Sequence, residues 1–298
     1  MNKHSLKFRI IDSVYIAGMV LPLIFGIILQ LLTKPASSGI NITGARIFFT
    51  VPMPLQDFPV TESQINSLLV MVVLFFFCLY MTHGLTERIS LKRQHFAELI
   101  VEKVDGLVGE NMGSYFASYA PFVIAILALS ALSSLLSLFG LYPPTSDINI
   151  VGGWAALVFI LIIYNKFKCG PIHYLKGLAE PVALLAPINL ISEFATPISM
   201  SFRHYGNVLS GSVISVLLAT ALGGLSSMLL GWLPGFLADI PLLQVGIPAV
   251  LSIYFDVFSG CLQAFIFAML TMMYVSGGFD LDEFEKRKKA RLAKKQNQ

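Results

Sequence analysis

Apolar residues run in long blocks along this chain, and polar residues gather in short bursts between them. Four blocks have the length of one membrane crossing: 10–32, 65–83, 119–141 and 150–167. A hydrocarbon layer of about 30 Å takes about 20 helical residues, so each block predicts a transmembrane helix. Two later blocks are longer, 187–230 and 246–275. The first has no proline after Pro197. As one helix it would reach about 66 Å, roughly twice the hydrocarbon thickness, so it must tilt steeply or bend. The linker GWLPGFLADIPLL is short and holds Pro234 and Pro241, with Pro248 just beyond. The last two blocks therefore predict a strongly tilted antiparallel hairpin. The expected fold is an all-α polytopic membrane protein with about five to six membrane helices, and 1–298 forms one integral membrane domain.

Composition supports this. The chain is 56% hydrophobic and 12% charged, against about 45–50% and about 25% in soluble domains, which leaves too little charge for a water-facing globule. Cys78, Cys169 and Cys261 are odd in number and lack CxxC spacing, so neither a disulfide framework nor a metal cluster is expected. No GxxxxGK[ST] loop is present, and no cofactor or nucleic-acid partner is expected.

Lys and Arg set the orientation. They cluster in the N-terminal tail (Lys3, Lys7, Arg9), the second loop (Arg88, Lys92, Arg93, Lys103), the fourth loop (Lys166, Lys168, Lys176) and the basic tail at 276–298. Six spans with both termini cytoplasmic satisfy this alternation. The basic MNKHSLKFR start also fits a signal peptide, although its apolar run is long and KPASSG is a mediocre cleavage site; removal would leave five spans. Phe96, Leu99, Ile100, Val104 and Leu107 recur at helical spacing in the second loop, as in an interfacial amphipathic helix or a solvated linker helix. Asp147 is placed to cap the fourth span.

One of the twenty Lys and Arg falls outside this alternation: Arg203, deep in the fifth block. Ionisable groups in a span mark function by default. The other deep candidates are Glu193 and Asp256, with the amides Asn207 and Gln263. Arg203 and Asn207 are i,i+4 on one helix face, flanked by the small residues Ser199, Gly206 and Ser210. Asp256, Gly260 and Gln263 follow Ser252 on one face of the sixth block. Counted from the two ends, Arg203 and Gln263 sit at similar depth, Asp256 lies further outward and Glu193 further inward. Arginine stays protonated and cannot relay a proton, whereas the two carboxylates can. The layout suggests two aqueous approaches from opposite sides, separated by a fixed cation. Several plainer readings stay open. Arg203 pairs with Asp256 or Glu193, Glu193 serves the start of its helix, the small residues pack only this chain, and His204 points to another face as packing.

At these residues, PINLISEFATPISMSFRHYGNVLSG and LQAFIFAMLTMMYVS, the chain resembles subunit a of F-type ATP synthases. VTESQINSLLVMVVLFFF, FAELIVEKVDGLVGENMG and PTSDINI support the resemblance in the same order, from about Val51 to Ser276. The resemblance implies a stationary ion channel whose hairpin packs on a rotating ring of c subunits, with peripheral-stalk b subunits and the lipid bilayer as further partners. It implies that Arg203 faces the ring carboxylates, that Asn207 and Gln263 lie near it, and that Asp256 serves an outer half-channel and Glu193 an inner one. It also implies passage of H⁺ or Na⁺ and an energy-coupling membrane, such as the bacterial plasma membrane. The chain departs from the family pattern in two places: His204 and Tyr205 stand where Leu-Phe is usual, and Ser212 stands where an acid or His is common. A secondary transporter would show repeats and broken helices in both halves, and a membrane hydrolase would show a catalytic dyad; neither signature is present.

Overall fold

The computed structural model describes residues 6–33, 44–54, 56–86, 92–179, 183–230, 246, 250–251 and 253–296. The linker with Pro234, Pro241 and Pro248, the KPASSG stretch and Ser252 lie outside these residues. The chain is an all-α polytopic membrane protein. Among the described residues, six helices are long and apolar enough to cross a membrane.

Helix α1 (Leu6–Thr33) leads to a short antiparallel ribbon, β1 (Ile47–Val51) with β2 (Phe58–Thr61), which apolar periodicity alone did not reveal. Helix α2 (Glu62–Thr82) starts in a capping box, in which Gln64 reaches back to Thr61. Helix α3 (Lys92–Met112) occupies the amphipathic stretch. It buries Val108 and Met112 and leaves Phe96 and Leu99 exposed. Helix α4 (Ala120–Leu135) is extended by 3₁₀ turns at Ser114–Tyr119 and Leu136–Phe139. Asp147 caps α5 (Ile148–Cys169), accepting from the Asn149 N–H at 2.9 Å. The short α6 (Pro171–Ala179) precedes α7 (Ala186–Leu230), a single helix of 45 residues. A π-helical turn (Ile253–Ser259) then runs into α8 (Gly260–Gly277), and the basic end of the chain forms α9 (Leu281–Gln296).

The main core joins α3, α4, α5 and α8 around Val108, Val123, Val158, Phe267 and Met272. At Gly260 a Cβ would stand 2.8 Å from the Ser134 Cβ, so α8 reaches α4 only because that side chain is missing. From α7, Met200 and the His204 ring enter this core. A smaller cluster of Leu69, Val70, Leu136 and Leu141 receives α1 through Leu23 and Ile27.

Candidate functional site

At about 100° per residue, α7 has distinct faces. Met200, His204 and Gly211 are buried, whereas Ser199, Arg203 and Ser210 are exposed. His204, one step round from Arg203, lies fully inside the chain. Its Nε2 is 3.2 Å from Ser130 Oγ, and Trp154 and Phe267 stand edge-on to it. Arg203 forms no ion pair among the described residues. A Cβ at Gly206 would meet nothing within 4 Å. The cation and its small neighbours thus form a face that the described residues leave open.

One turn further on, Asn207 Nδ2 donates to Gln263 Oε1 at 2.6 Å, which joins α7 to α8 by their amides at the level of Arg203. Gln263 is buried. Gly211 meets the Phe255 ring beyond this bridge, and Thr196 shares a pocket with Met273 on the near side. Contacts that advance along α7 recede along α8, so the pair is antiparallel.

Two polar pockets flank the bridge. The first, about 400 Å³, is lined by Ser212 and Ser215 of α7, by Asp256, and by Arg46, Glu62 and Tyr142. Arg46 Nε stands 3.6 Å from the buried Glu62 carboxylate. Burial, then the Asp147 carboxylate, pushes the Tyr142 phenol up to about 12. Asp256 sits on the π-helical turn. Wider turns of this kind rotate the following residues out of ordinary phase and occur often at functional sites.

The second pocket, about 300 Å³, is lined by Lys166, Glu193, Thr196, Tyr274, Gly277 and Gly278, among others. Glu193 lies two turns into α7, too far along to cap it. Lys166 Nζ holds one carboxylate oxygen at 2.5 Å, and the Tyr174 hydroxyl donates to the other at 2.5 Å. Burial, then Glu193, pushes the Tyr174 phenol up to about 12. With Glu193 held by Lys166, the possible Arg203–Glu193 pair is not formed.

The structure therefore brings Asn207 to Gln263 and Ser212 to Asp256. It keeps Glu193 in a separate pocket and leaves Arg203, Ser199 and Ser210 on open surface. Lys166, Tyr174, Arg46, Glu62 and Tyr142 are additions that sequence reasoning missed. In the sequence Lys166 stands only as an orienting charge, and Glu62 only as part of the stretch VTESQINSLLVMVVLFFF.

Comparison with known proteins places this arrangement. The family model described as ATP synthase A chain matches residues 65–276. The "ATP synthase subunit a, sodium ion specific" of Propionigenium modestum is 31% identical over 275 residues, covering 82% of this chain and 88% of that protein. The "ATP synthase subunit a" of Priestia megaterium is 33% identical over 230 residues, covering 72% and 92%. That of Mycobacterium ulcerans is 38% identical over 148 residues, covering 48% and 50%. With most of its length inside the match, including all of α7 and α8 as far as Ser276, the chain belongs to the ATP synthase A chain family.

Proposed function

We propose that this chain is the stationary ion-channel subunit of an F-type ATP synthase, non-catalytic by itself. It passes protons through two offset half-channels to and from the carboxylates of a c-subunit ring. Ions enter through the Asp256 pocket, past Ser212, and neutralise a ring carboxylate. The neutral carboxyl group then turns through lipid, where a charge is costly. Release follows in the pocket of Glu193, Lys166 and Tyr174, and the bare carboxylate next passes Arg203. Asn207 and Gln263 hold the two helices in register at that level. Ser199, Gly206 and Ser210 let the ring approach closely. The driving force is about 2.3 kcal/mol per charge per 100 mV.

The ring and the peripheral-stalk b subunits are the protein partners. The setting is the bacterial plasma membrane, with the C-terminus cytoplasmic. The ion is H⁺ or Na⁺, the latter named for the Propionigenium modestum relative, and pumping measured with and without sodium separates the two.

One observation carries this reading: a permanent cation stands on the open face of α7, between two polar pockets that lie on opposite sides of the amide bridge. A cation at mid-membrane costs about 2.5–3.5 kcal/mol, so an anionic neighbour is expected. In membrane vesicles holding the assembled enzyme, Arg203→Ala should abolish ATP-driven ion pumping while the complex still assembles. Undiminished pumping would contradict the proposal.

A further inference from the structure

Three residues separate the end of α8 from the start of α9, so α9 is held at one end of the membrane-spanning bundle. Its inner side is fixed there. The Asp280 N–H donates to Cys169 Sγ at 3.3 Å, and the Cys169 thiol donates to the Asp280 carbonyl at 3.4 Å. The Phe284 ring packs on Tyr115 and Phe279 at 5.4 and 5.3 Å. The Arg287 guanidinium lies over Gly170, where φ is +120° and a Cβ would fall 1.9 Å from Arg287 Cζ.

Fixed in this way, α9 turns Lys286, Lys288 and Lys289 outward. All three are exposed, and none is in an ion pair among the described residues. Seven Lys or Arg lie between 286 and 295, and no acid follows Glu285. Helix α6 meets the entry to α9, with His173 Nε2 3.6 Å from Oδ2 of Asp280, the residue before α9. It exposes Ile172 at 64% and Leu175 at 62%, next to an exposed Lys176.

Water alone would leave Ile172 and Leu175 unburied, and hydrocarbon alone would strand the lysines. An anionic headgroup layer over acyl chains accommodates both. We infer that α6 and α9 form one docking surface for the headgroups of anionic phospholipid at that end of the bundle. Gly277 and Gly278, through which the chain enters α9, also line the Glu193 pocket. Lipid bound to α9 therefore braces one wall of that pocket. The lysines of this surface carry no ion in the proposed pathway, and its test does not depend on pumping.

The test uses the full-length chain with Cys78→Ser, Cys261→Ser and Leu292→Cys, labelled at 292 with a fluorophore and reconstituted in vesicles. A nitroxide on the lipid headgroup quenches a label that lies at the surface. Quenching should be severalfold stronger in phosphatidylcholine vesicles containing phosphatidylglycerol than in pure phosphatidylcholine, and should weaken as sodium chloride rises. Joint Lys286→Gln, Lys288→Gln and Lys289→Gln substitution should remove the difference, and the same three positions changed to Arg should keep it. Equal quenching in the two vesicles, or a difference that survives the glutamine variant, would overturn the inference. Loss of the difference with inorganic phosphate at matched ionic strength would point instead to a small-anion site. Shielding of the label only in the assembled complex, whatever the lipid, would point to a protein partner. Either result overturns it.

Discussion

Helices α1 and α7 are equally bare: the most apolar stretch of each is 6% buried. What they expose differs. Helix α1 presents Leu21, Phe25 and Leu31. Its acid, Asp12, is held by Arg93 Nη1 at 2.8 Å and His83 Nδ1 at 2.9 Å. Helix α7 presents Arg203 with Ser199 and Ser210 around it, and that cation forms no ion pair among the described residues. Lipid completes the first helix, because apolar side chains need nothing more. It cannot complete the second, where a charge awaits a polar or anionic neighbour. Equal exposure thus signals two different surroundings, and the chemistry of the exposed side chains separates them.

The sharpest way to break this comparison is to exchange the surfaces. Leu21→Arg puts a cation on the lipid side of α1 and should cost about 2.5–3.5 kcal/mol of insertion, read as loss of membrane-integrated chain. Arg203→Leu should cost no insertion at all while removing pumping.

A smaller effect separates two glycines. A Cβ at Gly18 would stand 2.5 Å from Phe76 Cδ1, whereas Gly206 has open space. Gly18→Val should lower stability in detergent by about 1–3 kcal/mol through overpacking. Gly206→Ala should leave the denaturation midpoint unchanged or raised, because its methyl group meets none of the described residues, yet slow pumping if the proposed ring packs there.

The smallest effect belongs to the amide bridge. A double-mutant cycle of Asn207→Ala and Gln263→Ala should give a coupling of about 0.6 kcal/mol, at most about 1.7. Zero coupling would mean that the bridge does not hold α7 and α8 in register.

Much of this was legible in the sequence, for physical reasons. Twenty apolar residues have few alternatives to a spanning helix, and helical phase alone puts Arg203 beside Ser199, Gly206 and Ser210. Counting residues from two helix ends puts Arg203 level with Gln263, one turn short of Asn207, the residue that meets it. The surroundings of the carboxylates were not legible. Lys166 and Tyr174 reach Glu193 from two other helices, and Arg46, Glu62 and Tyr142 enter the Asp256 pocket from loops and a helix start far along the chain. No local periodicity encodes such meetings. The π-helical turn under Asp256 likewise has no apolar signature, so its altered phase appears only in three dimensions.

The central claim is that the Arg203 face of α7 is covered by a moving neighbour. Cysteines at Ser199 or Ser210, oxidised in the assembled enzyme against cysteines placed next to the carboxylate of the c subunit, test it directly. The account predicts a disulfide-linked adduct between the two subunits that forms at either position and stops ATP-driven rotation. Cross-links found only within this chain, or none to the ring, would contradict it.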